Sequence, residues 1–395
     1  MKIVVTGGGS GGHITPILSV ARELKALAYG VEIIYIGQRG DKLGDIPAED
    51  KNIDEAYTVP AGKFRRYHGE GFFRHLFDFR TVALNIRDFF RTIGGTWHSY
   101  RLLKRLRPEV VFIKGGFVGV PVGLAAAVLR IPYVTHDSDA LPGLANRIVA
   151  PWAAKHAVAL PKEVYSYPPG KTEVVGVPVS RDFRVPTADD RQKYKQQLQL
   201  DEFSKVVLVT GGGLGAKRLN NAVVTCSEEL LGRYANLCLV HIAGRDHETA
   251  LRREYKQKLP SKSQKRVIVK GYITNLYQYS AVADVVVTRA GASAIAEFAA
   301  QEKPCVVVPN PVLAGGHQLK NALVLQERKT VRVVNESVLA DDHLALMPPL
   351  VELLDRPERA QALAKKLHLM AKPDAAKHLA MLLLEVSGAH KQPQI

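Results

Sequence analysis

Apolar residues in this chain gather into short runs rich in Val, Ile and Leu, at 3–5, 31–36, 110–113, 206–209, 237–242, 267–269, 285–287 and 305–308. The runs are continuous, not alternating, which marks strands covered on both faces. Longer stretches with helical spacing separate them, and strand–helix alternation predicts an α/β fold with parallel sheets. The chain's 395 residues exceed the ~250–300 that one core organises. Two doubly wound, Rossmann-like domains facing across a cleft are therefore expected. Prolines and charges break the pattern at Gly176-Val177-Pro178-Val179-Ser180-Arg181-Asp182-Phe183-Arg184-Val185-Pro186, after a strand at 173–175. The expected domains are thus 1–178 and 179–372, with a hinge that lets them close on a ligand. A helical stretch at 375–388, beyond Lys372-Pro373, is a candidate to cross back, so that 373–395 packs on the first domain.

Two of the strands run into glycine turns 204 residues apart. Val4-Val5-Thr6 leads into Gly7-Gly8-Gly9-Ser10-Gly11-Gly12-His13, and Val207-Leu208-Val209-Thr210 into Gly211-Gly212-Gly213-Leu214-Gly215-Ala216. Such turns let the backbone bend sharply and bring main-chain N–H groups against an anion at a helix N-terminus. Two at matching positions imply a duplicated architecture. The first also fits the dinucleotide fingerprint GxGxxG, which calls for a carboxylate at the end of the second strand. That strand ends Ile36-Gly37-Gln38-Arg39. Hydride transfer is disfavoured, with Arg39 and an NADP phosphate as its only support.

Composition adds three points. Apolar residues make up 46% of the chain, enough to fill two cores. Cys226, Cys238 and Cys305 lack CxxC spacing and are expected to be reduced core residues of a cytoplasmic protein. The chain enters a strand at Lys2 without a charged-then-apolar leader, and no apolar run approaches the ~18 residues needed to span a bilayer, so neither export nor a membrane span is expected.

The net charge of +16 is concentrated. Residues 61–107 carry eleven Lys/Arg against three acids, together with seven of the twelve Phe residues, Tyr67, Trp97 and Tyr100. Phe79, Val82, Ile86, Phe89 and Ile93 recur at helical spacing, with Arg80, Arg87 and Arg91 at another angle. Such a helix suits an anionic membrane surface. It equally suits packing on its own sheet with a solvated basic face, or nucleic acid, although no nucleic-acid motif accompanies the charge.

In the second half, the strand Asp284-Val285-Val286-Val287-Thr288 turns through Arg289-Ala290-Gly291-Ala292-Ser293 into a helix bearing Glu297. A carboxylate there can accept both hydroxyls of a ribose in charge-assisted hydrogen bonds. The plainer alternative is that it complements the helix dipole.

The motifs taken together resemble the MurG family of peptidoglycan N-acetylglucosaminyltransferases. They are Gly7–Pro16 (GGGSGGHITP), Lys114-Gly115-Gly116-Phe117-Val118-Gly119-Val120-Pro121, His136-Asp137, Gly143-Leu144-Ala145-Asn146-Arg147, Gly176-Val177-Pro178-Val179, Thr288–Ala292, Glu297, and His317-Gln318-Leu319-Lys320-Asn321-Ala322. The resemblance implies the GT-B fold and transfer of GlcNAc from UDP-GlcNAc to the C4 hydroxyl of MurNAc in undecaprenyl-pyrophosphoryl-MurNAc-pentapeptide. UDP-GlcNAc is then a co-substrate and no cofactor is expected; no paired His/Asp cluster of metal-site spacing appears, and dipoles with Arg289 can carry the leaving-group charge, so no obligatory protein-bound metal is expected. The resemblance places uracil against the main chain of Tyr272 and Ile273, the ribose on Glu297, the phosphates at Ala292, Ser293 and Arg289, and GlcNAc on Gln318. Ser10, Gly11, Gly12, His13, Asp139, Arg181 and Gly213 join this donor set. Gly9, Ser10, Gly11 and Gly12 take the acceptor diphosphate. His13 is the first candidate base, followed by His136 and Asp137. Membrane contact falls on Lys63, Phe64, Arg65, Arg66, Tyr67, Phe72 and Phe73, against anionic lipids of the cytoplasmic leaflet, and no nucleic-acid partner is expected.

The chain departs from the family pattern at three places. The second glycine loop lacks the family's GGSQGA hydroxyl and amide, His136-Asp137-Ser138-Asp139 stands for HEQN, and Ser180-Arg181 displaces the expected arginine by one place. A related transferase acting on another lipid, a UDP-GlcNAc 2-epimerase and a non-catalytic sugar-nucleotide binder share enough of these features to stay open.

Overall fold

The computed structural model describes residues 1–63, 79–139, 141–212, 215–311 and 316–388. Contacts divide the chain into two compact units, Met1–Ser180 with the residues from Lys372 onward, and Arg181–Ala371.

The first unit holds a seven-stranded parallel sheet: β1 (Lys2–Thr6), β2 (Glu32–Gln38), β3 (Glu55–Val59), β4 (Val110–Ile113), β5 (Tyr133–Asp137), β6 (Lys155–Val158) and β7 (Thr172–Val174), in the order β3-β2-β1-β4-β5-β6-β7. The second holds six parallel strands: β8 (Lys205–Thr210), β9 (Leu237–Ile242), β10 (Val267–Lys270), β11 (Val285–Thr288), β12 (Cys305–Val307) and β13 (Arg332–Val333), in the order β10-β9-β8-β11-β12-β13. Strand order reverses between β1 and β4 and again between β8 and β11. At such switch points two loops part beyond the strand ends and leave a crevice for a ligand.

Each sheet is covered on both faces, as its continuous apolar strands require. Ile3 and Val5 pack with Ile17, Val20 and Leu24, while Val4 on the opposite face packs with Leu103, Val118 and Val122. In the second unit Val207 and Val209 meet Leu219, Leu230 and Leu350, whereas Val206 and Leu208 meet Phe298 and Leu325. Helix Ala375–Val386 lies in the first unit, with Leu379 and Leu383 fully buried beside Ile17 and Leu24. Each of these leucines contributes roughly 1.5–3 kcal/mol by leaving water.

Strands β3, β5, β6 and β13 fall outside the apolar runs of the sequence. β3 and β13 are sheet edges, where one flank needs no apolar cover. β5 and β6 carry polar side chains that bond to one another inside the protein, as Thr135 Oγ1 does with His156 Nδ1 at 2.8 Å. The three cysteines are buried and form no disulfide, in helix Lys217–Arg233, β9 and β12, and burial pushes each thiol up to about 12.

Candidate functional site

At the first switch point, β1 ends in Gly7–Ser10 and helix Gly11–Leu27 follows, with His13 in its first turn. His13 Nδ1 lies 2.8 Å from the Gly8 carbonyl and 3.2 Å from Ser10 Oγ. A carbonyl oxygen only accepts, so Nδ1 carries the hydrogen and Nε2 keeps its lone pair. That nitrogen faces Gly115, where an added Cβ would stand 3.5 Å from it. The turn after β1 interlocks with Gly115-Gly116, just beyond β4: Gly116 has a φ of +80°, and a Cβ there would meet the Gly8 oxygen at 2.4 Å. Gly9, expected to hold the acceptor diphosphate with Ser10, Gly11 and Gly12, donates its N–H to Asp41 Oδ2 at 2.6 Å. A resident carboxylate therefore occupies the first amide of the turn.

Beyond β4 stands Lys114, 3% exposed, which donates to Ser138 Oγ at 3.0 Å. Desolvation lowers its pKa to about 8, against the pull of Asp137 and Asp139. Beyond β5, His136 is wholly buried and bonds through Nε2 to the Gly176 carbonyl at 2.8 Å. Burial, and then the Lys114 charge, hold its pKa well below the ordinary histidine value. The Asp137 carboxylate accepts from Gly143 N–H (3.0 Å), Asn146 Nδ2 (3.0 Å) and the Tyr167 hydroxyl (2.8 Å), while burial raises its pKa. His136 and Asp137 thus brace the loop after β5. Of the three candidate bases, His13 has Nε2 beside Gly115, whereas His136 keeps a buried Nδ1 without a hydrogen-bond partner among the described residues. Asn146 also donates to the His136 carbonyl at 2.9 Å. Its Oδ1 is buried without a hydrogen-bond partner and lies 3.8 Å from the same Gly115 position.

At the second switch point, helix Ala292–Ala300 starts at Gly291 and carries Ala292 and Ser293 in its first turn. Glu297, one turn on, is 8% exposed, and no described residue donates a hydrogen bond to it. Burial pushes its carboxyl up to about 8. Strongly perturbed groups of this kind mark functional sites. Arg289, expected to face phosphates, is instead tied to the buried Glu336 carboxylate and to the Val308 carbonyl (3.1 Å), and Arg218 joins Glu336 at 3.5 Å. The Arg245 guanidinium lies over the Tyr272 ring, 4.8 Å from its centre, beside half-buried Ile273. Gln318 Oε1 accepts from Asn310 N–H at 2.9 Å, so its NH2 is the end that Asn310 does not engage. Asp139 is half-buried, Arg181 is exposed and Gly213 lies outside the described residues.

Residues 3–158 match the glycosyltransferase family 28 N-terminal domain, and residues 206–379 match the glycosyltransferase family 28 C-terminal domain. A Bacillus pumilus protein is 32% identical over 388 residues, covering 98% of this chain and 100% of that protein. A Geobacillus kaustophilus protein is 33% identical over 361 residues, covering 90% and 92%. Both are named UDP-N-acetylglucosamine--N-acetylmuramyl-(pentapeptide) pyrophosphoryl-undecaprenol N-acetylglucosamine transferase. The chain belongs to glycosyltransferase family 28. Among solved structures, Acinetobacter baumannii MurG superposes with a TM-score of 0.67 at 23% identity, covering 97% of this chain and 99% of that one. UDP-GlcNAc 2-epimerase from Neisseria meningitidis bound to UDP-GlcNAc gives 0.62 at 14%, covering 98% and 100%. These likenesses show the fold, and the two parallel-sheet Rossmann-like units of this family 28 chain are those of the GT-B type.

The basic segment of this family 28 member forms helix Phe79–Leu106. Its buried positions are Asp88, Thr92, Gly95, Ser99, Leu103 and Leu106, so the inward face is polar or small over its first half. The reason is close backbone packing: a Cβ on Gly95 would meet the Pro60 oxygen at 1.9 Å. Ile86, Phe89, Phe90, Ile93 and Trp97 point outward, each more than half exposed. Arg87 and Arg91 flank them and pair with Asp88 at 3.1 and 3.6 Å. Lys63 Nζ sits 5.6 Å from the centre of the Phe117 ring. Phe64, Arg65, Arg66, Tyr67, Phe72 and Phe73 lie outside the described residues.

Lys114, Asn146, Asp41 and Glu336 escaped sequence reasoning as site residues. One signal was available for Lys114: it follows a buried strand at the position that Arg289 holds in the other unit.

Proposed function

We propose that this chain transfers GlcNAc from UDP-GlcNAc, with inversion, to the C4 hydroxyl of the muramyl sugar in a pyrophosphoryl-undecaprenol-linked MurNAc-pentapeptide. What carries the reading is the full-length similarity to relatives named for that transfer, joined to a buried carboxylate, Glu297, that finds no donor among the described residues.

In this reading Glu297 accepts the two ribose hydroxyls. The main chain at Tyr272 and Ile273 faces uracil, and Gln318 reads GlcNAc hydroxyls. The helix start at Ala292 and Ser293 faces the diphosphate, with Arg289 held behind it by Glu336. Nε2 of His13 takes the proton of the C4 hydroxyl as that oxygen bonds to C1 of GlcNAc. The C1–O bond to UDP breaks and its electron pair leaves with the β-phosphate. Positioning and fixed dipoles supply the rest of the rate. No protein-bound metal is required here, and transfer persisting in EDTA is the expected result.

The acceptor is a lipid, and the enzyme works as a peripheral protein on the cytoplasmic membrane face. Among the described residues no helix is long and apolar enough to cross a membrane. The outward apolar row Ile86, Phe89, Phe90, Ile93 and Trp97, bordered by arginines, supports docking instead. Each such cation adds about 1 kcal/mol at an anionic surface. Phe89→Ser with Ile93→Ser should reduce sedimentation with anionic vesicles while leaving UDP binding intact; unchanged sedimentation would remove this face from the reading.

The deciding experiment mixes protein with labelled UDP-GlcNAc and a short-chain lipid-linked MurNAc-pentapeptide, beside a Glu297→Ala control. Label is expected in the lipid product and lost in the control. UDP binding without transfer would overturn the reading and direct attention to other acceptors, then to epimerisation.

A further inference from the structure

The two units place a buried cation at the same topological point. β1 pairs with β4 through Thr6 and Ile113, and β8 pairs with β11 through Thr210 and Thr288. The next residues are Lys114 and Arg289, 3% and 7% exposed. Arg289 is neutralised on the spot by Glu336. Lys114 has no carboxylate within ion-pair distance among the described residues. Of its three N–H bonds, one finds an acceptor among the described residues, Ser138 Oγ. Both oxygens of nearby Asp137 already serve Gly143, Asn146 and Tyr167. A buried ammonium with two unused donors is costly to the fold, and such a group is retained where something else completes it.

A second observation gives the ligand a polarity. Asn146 is 2% exposed with Oδ1 unpartnered, and that oxygen lies 3.8 Å from where a Cβ on Gly115 would stand. A buried, unpartnered acceptor repels an anion and calls for a hydrogen donor. Lys114 offers donors and positive charge instead. The crevice thus suits a molecule with an oxyanion at one end and hydroxyl or amide hydrogens at the other, as a sugar phosphate has.

We propose that Lys114 is the cation that binds the phosphate of the lipid-linked acceptor sugar, with Asn146 Oδ1 accepting a hydrogen from that sugar's hydroxyl or acetamido group. This rests on the transferase reading above. The phosphate belongs to the acceptor and not to UDP, because the uncompensated carboxylate that suits a ribose sits in the other unit.

The test compares wild type, Lys114→Met and Lys114→Arg in two assays: binding of a short-chain lipid-linked MurNAc-pentapeptide without UDP-GlcNAc, and steady-state transfer. Lys114→Met should weaken lipid-analogue binding and raise its KM roughly 10- to 100-fold, the loss of a charge-assisted contact. KM for UDP-GlcNAc should stay put, and Lys114→Arg should restore part of the loss. Thermal stability of Lys114→Met should hold or rise, since a desolvated charge has been removed. A shifted KM for UDP-GlcNAc alone would assign Lys114 to the donor and overturn the proposal. A lowered Tm with both KM values unchanged would make Lys114 a structural residue and overturn it equally. Wild type that binds the lipid analogue but transfers nothing defeats the transferase reading, and Lys114 is then still judged by binding.

Discussion

The two units share a sheet topology and a switch point, yet they leave opposite kinds of group unsatisfied. In the second, the cation after the switch strand is locked to Glu336 while Glu297 stands buried with no donor among the described residues. In the first, the carboxylate Asp137 is saturated by three donors while Lys114 keeps donors to spare. One half leaves a carboxylate without a described donor and the other an ammonium with donors to spare. A duplicated fold therefore carries no function by itself; function lies in which polar group the packing declines to satisfy.

The comparison breaks most visibly at the base. His13→Ala should lower kcat on the order of 10²–10⁴-fold, the range for a lost general base, with KM for UDP-GlcNAc little changed. Equal activity in single-turnover assays would remove His13 from the chemistry. Next in size is the closed ion pair. Glu336→Ala strands Arg289 in the interior and should cost about 3–5 kcal/mol, read as a lower Tm and denaturant midpoint. Lys114→Met should cost nothing, and equal losses in both would erase the contrast between the units. The smallest effect is a pH profile. The Glu297 carboxyl is raised from its ordinary 4.5 to about 8 in the free protein, and only its ionised form accepts two hydroxyls. UDP affinity should therefore rise as pH climbs toward 8 and level off above it, while Glu297→Gln should be weaker and flat. The linked stability runs the other way: the stability that the protonated carboxyl contributes is complete below pH 4.5 and lost as pH rises through about 8. A wild-type UDP profile as flat as that of the variant would show that this carboxyl does not meet the ribose.

Much of this was legible in the chain. Continuous Val/Ile/Leu runs mark β1, β4, β8, β9 and β11 because strands buried on two faces have no other composition available to them. β5 and β6 were invisible because Thr135 and His156 bond to each other and His136 bonds through Nε2 to Gly176, partners distant in sequence that periodicity does not encode. His13 and Glu297 were readable from the turns they follow. The direction in which helix Phe79–Leu106 faces was not. A helical wheel shows an apolar stripe, but only the backbone contact between Gly95 and Pro60 explains why the stripe is turned outward. Likewise no local signal told that Arg289 would find Glu336, 47 residues on, while Lys114 would find a serine.

The return of helix Ala375–Val386 to the first unit has a consequence for vectorial synthesis. The ribosome delivers the whole of Arg181–Ala371 before the residues that close the first sheet, so the second unit can complete its core while the first still exposes the face of Ile3, Val5, Val20 and Leu24. The unit made first is finished last. Met1 Sδ and Ser387 Oγ end 3.5 Å apart, so joining them with a short linker and opening the chain at an exposed loop of the second unit would let the first sheet and its covering helix emerge as neighbours, reversing that order.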